Sequence, residues 1–116
     1  MKYPQAITLH QVSGILSIVF DDASFELPAE YLRVYSPSAE VKGHHPSEEK
    51  IEQGKKNIKI QDIKPIGHYA LKIIFDDGHC TGLFTWDYLY TLGEKKKQYW
   101  QRYLQKLKAI AGKREP

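Results

Sequence analysis

Apolar residues alternate in the same way at two places along the chain. Leu16, Ile18 and Phe20 fall on one side of a period-two stretch with Ser17 opposite, and Leu71, Ile73 and Phe75 repeat the pattern. Each stretch runs into Asp-Asp, a turn, a second short apolar stretch, and a helix start carrying Tyr-Leu. Leu16–Leu32 (LSIVFDDASFELPAEYL) and Leu71–Leu89 (LKIIFDDGHCTGLFTWDYL) therefore follow one template, the second longer by two residues. Alternation of this kind predicts half-buried strands.

Around these two modules the pattern predicts further elements. Ala6–His10 and Ile15–Phe20 read as strands about a tight Val-Ser-Gly turn, and Ser24–Leu27 returns after Asp21-Asp22-Ala23. Pro28 suits the first turn of a short helix over 28–34. Residues 35–57 are polar, interrupted by Pro and Gly, and read as a long loop, a length that in a compact domain points to function or mobility. Ile58–Ile66 alternates imperfectly, with Pro65 marking an edge or bend. Tyr69–Phe75 and Cys80–Phe84 form a hairpin about Asp77-Gly78, where glycine accepts the positive φ such turns need. Thr85 is a candidate N-cap, with Asp87 in the following turn.

From Glu94 the period changes to that of a helix. Tyr99, Trp100, Tyr103, Leu104, Leu107 and Ile110 make one apolar stripe, with Gly112 as a stop and the following residues frayed. The expected fold is α+β: a two-layer sandwich with a twisted, mainly antiparallel sheet, short helices and a C-terminal amphipathic helix. Neither module has enough apolar face alone, so the two are expected to share one sheet and one core. The expected organisation is residues 1–93 as the domain, with the 35–57 loop inside it, and residues 94–116 as a basic helix and tail.

Composition narrows the function classes. The chain has 116 residues, 27% of them charged, and a single cysteine, Cys80. No apolar run is long enough to cross a bilayer and the first residues lack the core of a secretory signal, so a cytoplasmic location and no membrane partner are expected. One cysteine forms no internal disulfide. The net charge of +3 is uneven: residues 1–93 hold nine Lys/Arg against twelve Asp/Glu, and residues 94–116 hold eight against two. A basic helix of this kind suits an acidic partner or nucleic acid. Its aromatics share one face, however, which is the mark of packing rather than of base stacking, so the expectation is against nucleic acid.

The strings GHYALKIIFDDGHCTGLFTWDYLYTLG and LPAEYLRVYSPSAEV resemble the DUF971 family, over roughly residues 6–93. This is the domain also found as the gamma-butyrobetaine hydroxylase-like N-terminal domain of carnitine-synthesis dioxygenases. Versions of it also occur attached to P-loop ATPases that carry iron–sulfur clusters. The resemblance implies an α+β fold and a non-catalytic role, here as a stand-alone bacterial form whose chain ends before a catalytic domain could begin. In the dioxygenases the domain holds a structural zinc through a cysteine cluster and the histidine of the Asp-Gly-His turn. That histidine is His79 here, while the cysteine positions fall on Ser36, Ser38 and Val41. Zinc takes thiolate, imidazole or carboxylate donors, normally four in a structural site. Of the implied set only His79 remains, and the site is expected to be absent.

Read from the residues, His79 and Cys80 are the sharpest local candidates for metal, with His44 and His45 as helpers from the loop. Neighbours on a strand point to opposite faces, so His79 and Cys80 are not expected to chelate together. Instead His79 is expected to cap or hydrogen-bond the turn, with Cys80 packed as a small apolar group; the remaining case is a His79 bond to the Ser36–Ser38 loop in place of metal. Asp21-Asp22 and Asp76-Asp77 sit where aspartate bonds nearby amides and suit turns rather than acid–base chemistry. Cys80 lacks an oriented base and is not expected to be a nucleophile. The expectation is thus a non-enzymatic interaction or adaptor domain with a protein partner, linked to iron–sulfur or iron-enzyme maturation. Its contact residues are Arg33, Ser36, Ser38, His79, Lys95 and Lys96, and no cofactor is expected. The alternatives are a zinc or iron protein using His79, and an accessory substrate-binding domain for a dioxygenase.

Overall fold

The computed structural model describes residues 3–37, 52–80 and 82–115. Alternation builds two antiparallel meanders. The first comprises β1 (Ala6–His10), β2 (Ile15–Val19) and β3 (Ser24–Pro28), and leads into α1 (Ala29–Val34). The second comprises β4 (Ile60–Ile66), β5 (Ala70–Phe75) and β6 (Leu83–Thr85), and leads into α2 (Trp86–Glu94) and α3 (Lys96–Ala109). The strand orders are β1-β2-β3 and β4-β5-β6. Register places Leu16 opposite Leu27 and Ile18 opposite Phe25, and in the second sheet Ile73 opposite Ile63 and Leu71 opposite Phe84. Among the described residues no helix is long and apolar enough to cross a membrane.

The halves share a core but not a sheet, which corrects the expectation of a single sheet. Each meander ends by turning directly into a helix, and the halves meet through side chains. Leu16, Ile18 and Phe20 of the first module and Leu71, Ile73 and Phe75 of the second enter one cluster, none more than 2% exposed. Full burial of such a side chain contributes about 1.5–3 kcal/mol. Against β3, Gly93 of α2 comes so close to Phe25 that a Cβ there would strike the ring.

Polar bonds join the halves reciprocally. The Tyr31 hydroxyl donates to the Leu92 carbonyl at 2.7 Å, and the template-equivalent Tyr88 hydroxyl donates to the Tyr35 carbonyl at 2.6 Å. The helix starts are tied back in parallel fashion, Ala29 N–H to the Gly14 carbonyl and Trp86 N–H to that of Tyr69. Residue i of one copy meets j of the other while j's copy meets i's, the pattern a twofold relation produces. Burial pushes the Tyr88 hydroxyl up to about 12 and moves Tyr31 in the same direction, with neighbouring tyrosines adding to both.

Several boundaries move. The helix after β3 starts at Ala29, with Pro28 closing the strand and acting as the cap. The strand expected at Cys80–Phe84 is confined to Leu83–Thr85, which leaves Cys80 in the preceding connection. Thr85 caps α2 as expected, its Oγ1 accepting the Tyr88 N–H at 3.1 Å. The helical pattern expected from Glu94 is broken at Lys95, so that α3 starts at Lys96, and its apolar stripe buries less than its pattern suggests. Tyr103 and Leu107 pack on Val34, whereas Leu104 and Ile110 are 36% and 50% exposed.

The residues after Gly112, expected to fray, are instead tied down. Gly54 and Lys56 N–H groups donate to the Lys113 and Arg114 carbonyls at 2.9 and 3.0 Å. The Arg114 guanidinium forks onto Glu30, Nε to Oε2 at 2.9 Å and Nη2 to Oε1 at 2.8 Å. The pair joins residues 84 apart in the chain. No local pattern announces it.

Candidate functional site: the Asp-Gly-His turn and the neighbouring cleft

Phe75-Asp76-Asp77-Gly78-His79 closes on itself. Gly78 N–H donates to the Phe75 carbonyl and Phe75 N–H to that of His79, at 3.1 and 3.0 Å. Gly78 has φ +88°, a conformation glycine adopts without a Cβ penalty. Asp76 is bound to the start of the second meander: its N–H donates to the Lys59 carbonyl and its Oδ1 accepts the Lys59 N–H. Asp77 Oδ1 accepts the His79 N–H at 3.1 Å, an aspartate turn of the expected kind.

The other oxygen of Asp77 faces inward and organises a charged knot. Oδ2 accepts Arg33 Nε at 3.0 Å and Lys55 Nζ at 2.8 Å. Partial burial pushes the Asp77 carboxyl up, but bonds from Lys55, the His79 amide and Arg33 together pull it down to about 2. Arg33 is 6% exposed, and α1 carries it into this position. Its Nη1 stands 3.5 Å from Glu52 Oε1, within ion-pair distance, yet makes no hydrogen bond among the described residues. Glu52 is placed in turn by its carbonyl, which accepts the Tyr103 hydroxyl at 2.7 Å.

His79 is 8% exposed and Ser36 1%. Ser36 Oγ and His79 Nε2 lie 2.9 Å apart. The side chain of His79 thus bonds the loop at Ser36, the remaining case of the sequence reading, while Ser38, Val41, His44 and His45 lie outside the described residues. Among the described residues, the groups at this corner are a serine hydroxyl and an imidazole whose facing nitrogen is already engaged. No three His, Cys, Asp or Glu side chains among the described residues form a metal-holding group. Cys80 is half-buried and follows His79 into the connection before β6.

The proposed contact residues thus separate. The side chains of Arg33, Ser36 and His79 are buried, whereas Lys95 and Lys96 are exposed. Lys96 stands on the rim of a cleft of about 580 Å³ between α1 and the α2–α3 junction. Sequence reasoning did not find this cleft, because it is assembled from the β3–α1 junction, the start of α3 and the distant Arg114.

Comparison with known proteins agrees with this architecture. The family model described as gamma-butyrobetaine hydroxylase-like, N-terminal, matches residues 7–90. One NMR solution structure is similar with a TM-score of 0.88 at 49% identity, covering 100% of this chain and 92% of the other. A second has a TM-score of 0.84 at 44% identity, covering 100% and 87%. A crystal structure from Acidithiobacillus ferrooxidans, of a DUF971 protein with unknown function, has a TM-score of 0.66 at 34% identity, covering 78% and 91%. No curated protein matches. Family model, fold and sequence identity lead to one assignment: the chain belongs to the DUF971 family of gamma-butyrobetaine hydroxylase-like N-terminal domains.

Proposed function

We propose that this protein is a non-enzymatic adaptor that acts by binding a protein partner in iron–sulfur or iron-enzyme maturation. One observation carries the binding part of this reading. The groups that could do chemistry at the Asp-Gly-His turn are held in internal bonds: Asp77 by Arg33 and Lys55, Asp76 by Lys59, and His79 by Ser36. A general acid or base needs reach to a substrate proton, and a buried, bonded imidazole lacks that reach. The exposed cations Lys95, Lys96 and Lys97 supply a surface for an acidic partner. The link to iron chemistry comes from the domain associations of the family.

The test is affinity capture from source lysate, comparing wild type with the Lys95→Glu/Lys96→Glu/Lys97→Glu variant. The adaptor reading expects an iron–sulfur carrier or iron enzyme that is enriched by wild type and lost with the variant. Enrichment no greater than that given by an unrelated basic domain of similar size overturns it.

A further inference from the structure

The cleft beside α3 has a composition that selects a ligand. Its apolar lining is Trp100 from α3 and Pro28, backed by Tyr31 of α1, which is 2% exposed. The rings of Tyr31 and Trp100 meet edge to face at 6.3 Å. Its rim is cationic, with Lys96, Lys97 and Arg114. The Arg114 guanidinium lies 5.3 Å from the centroid of Trp100, and Glu30, 8% exposed, grips its Nε and Nη2. Nη1 lies outside that fork. A guanidinium fixed in this way is a pre-aligned anion receptor, since little side-chain freedom remains to be lost on binding.

A second observation points the same way. The first turn of α3 holds Lys96 and Lys97 but no acidic residue, and its capping position, Lys95, makes no side-chain cap bond. Lysines there add positive charge to the positive end of the helix dipole, an arrangement that an anion relieves. Lys96 Nζ donates to the Glu26 carbonyl at 2.7 Å, which fixes its ammonium near the rim without neutralising it. Glu94 is the one carboxylate at the cleft outside the Arg114 pair, and it leaves the rim net positive among the described residues.

We propose that this cleft binds a small amphipathic carboxylate, with its apolar body against Pro28 and Trp100 and its anionic head among Arg114, Lys96 and Lys97. The volume of about 580 Å³ lies within the range of small-molecule sites. The cleft shares Lys96 and Lys97 with the surface proposed above for a protein partner, and the neutral-analogue and peptide arms of the test separate the two readings.

The test is an NMR titration of the full chain with 2-naphthoate, alongside its neutral analogue 2-naphthalenemethanol. The expected result is saturable shifts at Gly93, Lys96, Lys97 and the Trp100 indole, with the neutral analogue and the Lys96→Glu/Lys97→Glu variant each weaker by about tenfold or more. Both lysines are exposed, so the variant is expected to keep the wild-type spectrum elsewhere. Absence of saturable shifts at the cleft, equal binding of the alcohol, or an unchanged affinity in the variant overturns the proposal. A third arm uses an acetylated, amidated Glu-Phe-Glu peptide. Binding tighter than naphthoate by about tenfold moves the site to a protein segment and overturns the small-molecule assignment.

Discussion

The two copies of the Phe-Asp-Asp template fold alike and are used differently. Leu16, Ile18 and Phe20 match Leu71, Ile73 and Phe75 in burial, and Tyr31 and Tyr88 exchange equivalent bonds across the halves. At the second aspartate the copies part. Asp22 is exposed and accepts the Tyr90 hydroxyl at 3.0 Å, whereas Asp77 anchors buried Arg33, Lys55 and the His79 amide. The same tripeptide thus closes an open turn in one half and organises a charged knot in the other. The difference comes from neighbours: α1 delivers Arg33 and Ser36 to the second turn, and the two-residue extension there carries His79 to Ser36.

The largest effects should appear where the copies are equivalent. Phe20→Ala and Phe75→Ala each leave a cavity in the shared core, for an expected loss of about 3–5 kcal/mol in urea unfolding. Losses differing by more than about 2 kcal/mol would break the equivalence of the two halves.

The next effect separates the copies. Asp77→Ala leaves the Arg33 guanidinium buried without its closest partner, and Asp77 itself is 25% exposed, so about 2–3 kcal/mol is expected. Asp22→Ala should cost less than about 1 kcal/mol. The pH dependence follows from the lowered carboxyl. Asp77 contributes stability above the ordinary aspartate range, near pH 4, and that stability is lost as pH falls toward about 2. Asp77→Asn should flatten this acid limb, measured by urea midpoints across the range; an unchanged limb would detach Asp77 from the knot.

Smaller and symmetric effects belong to the tyrosines. Tyr31→Phe and Tyr88→Phe each remove one buried hydrogen bond and are expected to cost about 1 kcal/mol. Because burial raises Tyr88 to about 12, its contribution is intact below pH 10 and disappears as pH rises toward 12. Tyrosinate absorbance should therefore grow together with loss of circular dichroism. Titration of all tyrosines before unfolding would contradict the reciprocal bonds.

Much of the fold was legible because it rests on local signals. Alternation located the central strands, Asp77-Gly78 located the hairpin turn, and Thr85 the helix cap. Separation into two sheets was not legible, since alternation shows which face a strand buries but not which edge it pairs with. Nor was the anchoring of Arg114 by Glu30, a contact with no periodicity to betray it. Leu104 and Ile110 fit the helical stripe but face outward, because the core beneath α3 is only as wide as Val34, Tyr103 and Leu107. At the site, the serine at the family's cysteine position pointed to the Ser36–His79 bond only as the case left after a cap within the turn. The cleft was invisible because its walls come from segments far apart in the chain.

We propose, as the central claim, that the His79 corner is a hydrogen-bonded knot and not a metal site. The most direct measurement is the thermal midpoint and bound metal of untagged wild type, Ser36→Ala and His79→Ala, with added zinc and with a chelator. The account predicts no stoichiometric zinc in any of the three and a wild-type midpoint that ignores both additions. It also predicts that each variant melts about 4–8 °C lower for every 1 kcal/mol the bond contributes. One equivalent of zinc held by wild type, with a chelator-sensitive midpoint that disappears in His79→Ala, would contradict it.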